Sequence, residues 1–182
     1  MTHLQFSKRL SIGLFAIGTS LFIAYATTLS PIVGLIGFVY TGLAFSIGTA
    51  YFFVLGSKIG RQKLDPEAGK KSIQILTLNL PIALIYFVIV MILINTARIT
   101  LENTTGQDLN SIKILGCDTK EIKSLKTGQS ETVWIYIPND CSLEIRYELG
   151  GETRTEIVAS YLTNLGGVIA TYKIGSNQDI FL

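Results

Sequence analysis

Cys117 and Cys141 are the side chains in this sequence with the clearest capacity for chemistry. Each lies at a predicted turn next to an aspartate, and in an oxidising compartment a disulfide is the expected state. The bond would close a loop of about 25 residues and stabilise the fold by roughly 3 kcal/mol. Two free buried thiols or a metal pair are the alternatives. A metal is disfavoured because His3, the single histidine, lies at the opposite end of the chain.

Catalytic groups are scarce in the second half of the chain. It contains no histidine, so its serines lack a histidine base, and its acidic residues are scattered over predicted strands and turns. The segment 69–72 (GKKS) resembles the end of a phosphate-binding loop, but Leu64 stands where that motif requires a glycine. We therefore expect a protein that is not an enzyme and that uses no cofactor.

Two uncharged apolar runs, residues 10–57 and 72–97, dominate the first half. A bilayer hydrocarbon core of ~30 Å requires about 20 apolar residues per helical crossing. The first run is long enough for two crossings and the second for one. We predict a transmembrane unit over residues 1–96. Its three helices are placed at about 10–29, 32–56 and 73–95.

The basic residues beside these helices predict their orientation. Lys8 and Arg9 precede the first span and five more basic residues lie in the 57–72 loop, whereas the 27–31 connection has none. Basic segments stay in the cytoplasm. We therefore expect a multi-pass protein of the cytoplasmic (inner) membrane, with its N-terminus and basic loop inside and residues 97–182 in the periplasm or cell exterior. Anionic lipid headgroups would attract the loop.

The net charge of +2 conceals a division between the halves. Residues 1–96 carry seven basic and two acidic side chains, a net of +5, and residues 97–182 carry eight and eleven, a net of −3. Nucleic-acid-binding proteins concentrate positive charge on the folded domain. Here that domain is acidic, so we do not expect nucleic acid as a partner.

A cleaved signal peptide is the alternative to an uncleaved first helix. Lys8 and Arg9, the apolar stretch and the small residues Ala24 and Ala26 resemble the three regions of a secretory signal. Cleavage after Ala26 would leave five residues before the next apolar span. We favour the uncleaved helix, and either interpretation leaves the later topology unchanged.

Small and polar residues within the spans predict helix contacts. Small residues four apart allow close backbone approach in lipid, either within one helix hairpin or against another subunit. They are Ala16, Ser20, Ala24 and Thr28 on the first span and Ala44 and Gly48 on the second. In the third span, Pro81 frees a backbone carbonyl near residue 77, and Asn79 could satisfy it or bond across helices.

Residues 97–182 alternate short β-rich runs with glycine- and proline-containing turns. The predicted strands are 98–103, 111–116, 121–125, 131–137, 142–149, 154–162 and 168–174. This spacing favours a small antiparallel β-sandwich of immunoglobulin or fibronectin type, with a Greek-key barrel as the alternative.

The hairpin around Gly150 and Gly151 yields a predicted register. A loop of three or five residues would oppose Arg146 to Glu156, and Glu148 to Arg154, in a solvated charge ladder. The same loop would place Leu143 beside Ala159, and Ile145 beside Ile157.

Trp134 and Tyr136 alternate with Val133, Ile135 and Ile137, so one of the two sets must face outward. We take Trp134 and Tyr136 as the candidate partner surface. The sequence favours a non-enzymatic membrane protein that displays an interaction domain, as an accessory or assembly subunit or an immunity-type protein. The alternative is a small oligomeric channel or carrier with a β-domain cap. Expected partners are the lipid bilayer and another membrane or envelope protein, or further copies of the chain.

Overall fold

The computed structural model describes residues 2–176 and 178–180, and it divides into two compact units, Met1–Val90 and Met91–Leu182. The helices are α1 (His3–Thr28), α2 (Pro31–Gly60), α3 (Pro66–Thr77) and α4 (Asn79–Ile94). The strands are β1 (Thr96–Asn103), β2 (Leu109–Gly116), β3 (Lys120–Leu125), β4 (Ser130–Tyr136), β5 (Cys141–Leu149), β6 (Glu152–Leu162) and β7 (Val168–Ile174).

Three helical segments are long and apolar enough to cross a membrane: His3–Thr28, Pro31–Gly60 and Pro66–Ile94. The predicted spans match these segments, although two of them, 10–29 and 73–95, end one residue past the helix. The helices α2 and α3 extend into the predicted loop, which shortens to residues 61–65. Asp65 caps α3 by accepting a hydrogen bond from the Ala68 amide at 2.9 Å. The third segment is interrupted at Leu78, because Pro81 cannot donate to the carbonyl four residues earlier and its ring crowds that carbonyl.

Polar side chains connect α1 to this interruption. The Ser11 hydroxyl donates to the Ile75 carbonyl at 3.0 Å, and the Asn79 amide donates to the Ser11 carbonyl at 3.1 Å. The second bond confirms that Asn79 bonds across helices. In an apolar setting such bonds give these polar side chains partners that lipid cannot supply.

Aromatic side chains join the long helices further along. The Tyr40 hydroxyl of α2 donates to the Leu14 carbonyl of α1 at 2.7 Å. Tyr86 of α4 shares a hydrogen bond with Thr19 at 3.0 Å and stacks on Phe22 with a centroid distance of 4.2 Å. These contacts join α1 to both α2 and α4 in the helical unit.

The second unit consists of two sheets. Within the described residues, one sheet has the strand order β4-β1-β7 and the other β3-β2-β5-β6. All seven predicted strands are present, but β1 and β7 pair in parallel, so the expectation of a wholly antiparallel sandwich is wrong at this pair. An immunoglobulin constant domain pairs its first strand with its second. Here β1 pairs with β4 and β7, and the immunoglobulin-like assignment is not confirmed.

The two sheets enclose one hydrophobic core. Alternate residues of β1, β4, β5 and β7 point inward, as the period of a half-buried strand requires, whereas β2, β3 and β6 depart from strict alternation. The core includes Ala97, Ile99 and Leu101 of β1, Ile135 of β4 and Tyr172 of β7, which face Ile112, Ile114, Leu143, Ile145 and Tyr147 of the other sheet.

The β5–β6 hairpin differs from the predicted register. Gly150 and Gly151 form a two-residue turn with φ of 60° and 86°, so Leu149 pairs with Glu152. Two positive φ values define the type I′ turn that suits the twist of a hairpin. Tyr147 therefore opposes Arg154, and the predicted charge ladder is wrong.

Beyond this part of the hairpin, a register shift makes Val158 the extra residue on β6. Leu143 consequently pairs with Ala159, as predicted, whereas Ile145 opposes Glu156 and not Ile157.

Candidate interaction surface

Trp134 and Tyr136 lie on the outer face of the three-stranded sheet. Their neighbours in β4 point the other way, with Ile135 fully buried and Val133 partly buried against the core. Trp134 is 50% and Tyr136 57% exposed, a large fraction for aromatic side chains in a small domain. The structure thus identifies which of the two alternating sets faces outward.

Strand pairing brings two further residues to Trp134. Arg98 of β1 lies directly opposite Trp134, and its guanidinium is 5.1 Å from the centre of the indole ring. Such a cation–π contact stabilises by ~0.5–1 kcal/mol at an exposed site. On the other side of β1, Ile169 of β7 pairs with Arg98 and is also exposed. We call Arg98, Trp134, Tyr136 and Ile169 the aromatic patch.

The rest of this face changes in character along the strands. The next row beyond Arg98, Trp134 and Ile169 contains Thr100, Thr132 and Thr171, and the one after it contains Glu102, Ser130 and Lys173. The hydroxyls of Thr100 and Thr132 are 2.9 Å apart. The face therefore grades from aromatic to hydroxylated to charged.

Cys117 and Cys141 are joined by a disulfide with a Cα–Cα distance of 5.2 Å. Cys117 directly follows β2 and Cys141 begins β5, and these strands are neighbours in the four-stranded sheet. The residue before Cys117 must be a glycine, because a Cβ at Gly116 would lie 2.0 Å from the Ser142 carbonyl oxygen.

Beside the disulfide, the Tyr161 hydroxyl donates to Asp140 at 2.5 Å. This bond holds the pKa of the Asp140 carboxyl below its usual range.

Glu156 is buried, in contrast to the solvated position that the predicted charge ladder gives it. It is only 6% exposed and lies between the sheets, where it accepts hydrogen bonds from Tyr147 of β5 and from Tyr172 of β7. The Gly175 amide donates to both of its oxygens at 3.1 Å.

Burial is the main cause that raises the pKa of both tyrosine hydroxyls, and their hydrogen bonds to Glu156 raise it further. With its oxygens bonded to donors from β5, β7 and Gly175, Glu156 connects the two sheets.

The predicted helix-packing residues are not gathered at one contact. Ala16, Ser20 and Thr28 are exposed, and Ala24, Ala44 and Gly48 are partly buried. The close approach of α1 and α2 occurs at Gly34, where a Cβ would lie 3.0 Å from the Tyr25 ring. A role for the small-residue stripe in packing against another subunit stays a prediction.

A cleft of about 360 Å³ lies between α1 and α3. Three apolar side chains, two lysines and a glutamine line it: Leu4, Ile75, Leu78, Lys8, Lys71 and Gln74. It belongs to the basic end of the helical unit for which the sequence predicts attraction to anionic lipid. Within residues 2–176 and 178–180, no group of three or more His, Cys, Asp or Glu side chains is placed to hold a metal ion.

Comparison with known proteins adds little to this geometry. No protein-family model matches the sequence, and no curated protein matches it. Among solved structures, the chain is similar to one described as the NMR structure of the protein from Eubacterium rectale. The identity is 17%, the match covers 47% of this chain and 84% of the other, and the TM-score is 0.34.

Proposed function

We propose that the protein is a non-enzymatic, multi-pass protein of the cytoplasmic membrane that displays its β unit outside the cytoplasm as an interaction domain. It would serve as an accessory or assembly subunit, or bind an incoming toxin as an immunity protein does. The observation that carries this proposal is the combination of three apolar helical segments with a disulfide-linked β unit after the last of them.

Charge and redox chemistry support the same orientation independently. Basic residues lie before the first helix and between the second and third helices, and none lies between the first and second. By the positive-inside rule, the basic ends lie in the cytoplasm. An odd number of crossings then carries residues 96–182 to the opposite side. Disulfides persist in the periplasm and outside the cell and are rare in the cytoplasm. The pairing of Cys117 with Cys141 therefore fits the side that the charges predict.

A channel or carrier is less well supported. The apolar stretch of each helical segment lacks a charged side chain, so the chain offers no intramembrane proton relay or carboxylate ion site. Asn79 of the third segment and Ser11 of α1 are used in hydrogen bonds between these two helices.

Thiol labelling in intact cells tests the orientation. A membrane-impermeant maleimide should label neither Cys117 nor Cys141 before reduction, and after an impermeant reductant it should label both. A cysteine substituted at Gln62 in the short basic loop, in a Cys117→Ser/Cys141→Ser background, should be labelled only after the membrane is permeabilised. Labelling of both native cysteines without reduction would contradict the disulfide. Labelling at position 62 in intact cells would contradict the topology.

The partner is tested by crosslinking in the native membrane. A photoreactive amino acid at Tyr161, exposed on the outer face of the four-stranded sheet, should give one discrete crosslinked product outside the cytoplasm. The same group at Phe38, exposed on α2, is the control for contacts made within the bilayer. Lipid adducts at both positions and no protein product at either would contradict an interaction domain.

A further inference from the structure

We propose that the aromatic patch is a membrane-docking surface, which lies in the headgroup region of the bilayer that α4 enters. This inference rests on the proposed membrane crossing but does not depend on which side the β unit occupies. It assigns one occupant, the lipid interface, to Trp134 and Tyr136 in place of a protein partner. Four observations within residues 91–180 lead to it.

The first is the absence of a linker. α4 ends at Ile94 and β1 begins at Thr96, so Asn95 alone separates helix from strand. At a rise of about 1.5 Å per residue, the apolar stretch from Ile73 to Ile94 spans at most about 33 Å across the interruption at Leu78, which is enough for a hydrocarbon core of ~30 Å. Asn95 and Thr96 therefore fall at the edge of the lipid chains.

The second is a set of hydrogen bonds that fixes the helix end to the sheet. The Gly167 amide donates to the Ile94 carbonyl, and the Ile137 amide donates to the Asn95 carbonyl, each at 2.9 Å. The Thr96 hydroxyl reaches back to the Ile92 carbonyl at 2.7 Å. These bonds join the ends of β4 and β7 to the last turn of α4, so the near end of the sheet cannot move far from the lipid surface.

The third is the strand register. Tyr136 lies opposite Thr96, and Trp134 and Ile169 lie opposite Arg98. Two residues of strand span about 7 Å, and the headgroup region on each side of a bilayer is about 5–8 Å thick. The whole patch therefore falls within one headgroup thickness of the point where the chain leaves the hydrocarbon.

The fourth is the chemistry of the rows. Tryptophan and tyrosine are enriched at membrane interfaces, because their rings are apolar and their N–H and O–H groups remain hydrated. Arg98 can bury its stem at such an interface while its guanidinium stays beside the Trp134 ring at the level of the headgroups. Leu165, which is 60% exposed, adds an apolar side chain next to Asn95, whose side chain accepts from the Leu165 amide. The charged row with Glu102 and Lys173 is the farthest from the helix.

A protein occupant explains this arrangement less well. A partner or a second copy could cover Trp134 and Tyr136, but it would have to approach a surface already within reach of the headgroups. A protein occupant also does not explain why the outer face of the sheet becomes more polar with each row away from α4. The bilayer explains both the position of the patch and the gradient.

Trp134 is the only tryptophan in the chain, so its fluorescence reports on the patch without labelling. The full-length protein is reconstituted in lipid nanodiscs, once with ordinary phosphatidylcholine and once with phosphatidylcholine brominated near the glycerol end of its acyl chains. We expect the emission of Trp134 to be blue-shifted in ordinary discs and to lose most of its intensity in brominated discs. Aqueous iodide should quench this emission only weakly.

Two matched variants move the probe away from the lipid along the same face. In a Trp134→Phe background, Thr132→Trp places the indole one row farther and Lys173→Trp two rows farther, both at exposed positions. Each row adds about 7 Å, so quenching by bromine should fall by roughly half per row while iodide quenching rises. The Trp134→Phe protein without a new tryptophan supplies the background signal.

The other outcomes overturn the proposal. Strong iodide quenching with no bromine effect at Trp134 would place the patch in water. Protection from both quenchers, relieved by dilution to one chain per disc, would show a second copy as the occupant. A reversed topology in the thiol-labelling experiment would contradict the orientation but leave this depth measurement unaffected, so the two proposals fail separately.

Discussion

Replacing Glu156 with alanine should destabilise the β unit strongly. The substitution removes the acceptor shared by the Tyr147 and Tyr172 hydroxyls and by the Gly175 amide. Both tyrosines are about 1% exposed, so water cannot replace the carboxylate without opening the core. The three donors would lose their partner at the point where the two sheets meet.

The expected cost follows from the number and burial of these donors. A buried donor left without a partner costs ~1–3 kcal/mol. The two hydroxyls are fully buried and the amide is partly exposed, which gives a loss of about 3–5 kcal/mol for Glu156→Ala. Glu156→Gln keeps one carbonyl oxygen in place and should cost about half as much. A total stability of ~5–15 kcal/mol makes the alanine variant marginal.

Urea denaturation of the full-length protein in detergent measures this loss, followed by the emission of Trp134, which lies in the β unit. Glu148→Ala is the matched control, because Glu148 is exposed on the adjacent strand opposite Thr153. An exposed substitution of this kind should change the free energy of unfolding by no more than ~0.5 kcal/mol. Equal free energies for the two alanine variants would show that Glu156 faces water and would refute the observed hairpin register.

Two further predictions concern the same unit. Because burial and Glu156 raise the pKa values of Tyr147 and Tyr172, the folded state favours their neutral hydroxyls. This stabilisation is complete below the unfolded tyrosine pKa of about 10 and is lost as the pH rises further, so tyrosinate absorbance should show two groups titrating only with unfolding. Gly116→Ala should lower the melting temperature well below that of Gly128→Ala. Both glycines have positive φ, but only at Gly116 would the new Cβ collide with the Ser142 carbonyl; equal melting temperatures would refute the close approach.

The three apolar segments and the seven strands could be predicted because each follows from local pattern. A long uncharged apolar run has few possible structures other than a transmembrane helix, because the thickness of the hydrocarbon core sets the minimum length of such a helix. The alternation of Ile135 and Ile137 with Trp134 and Tyr136 likewise identified two faces before any pairing was known. The interruption at Leu78 was signalled by Pro81, whose effect on a helix is also local.

The composition of the aromatic patch could not be predicted in the same way. Ile169 joins Trp134 only because β7 pairs in parallel with β1, and the two strands are some seventy residues apart in the chain. No turn connects them, so neither loop length nor turn type specifies the register. The pairing depends on closing the last strand against the first around a shared core, which is a property of the whole unit.

In the β5–β6 hairpin, turn geometry outweighs weak surface interactions. The predicted register relied on two opposite-charge pairs, Arg146 with Glu156 and Glu148 with Arg154, each contributing a few tenths of a kcal/mol. The Gly-Gly sequence instead favours a two-residue turn at both positive φ values, because the turn then matches the twist of the strands. That choice turns Glu156 inward.

The structure compensates for the inward carboxylate in two ways. Two tyrosines and a backbone amide satisfy Glu156, and the extra residue Val158 shifts the strand so that Ala159 again faces the core beside Leu143. A β-bulge of this kind lets one strand keep the register set by the turn at one end and still direct its apolar residues into the core at the other. The turn and the bulge together therefore determine the hairpin, and the buried glutamate is the consequence that holds the two sheets together.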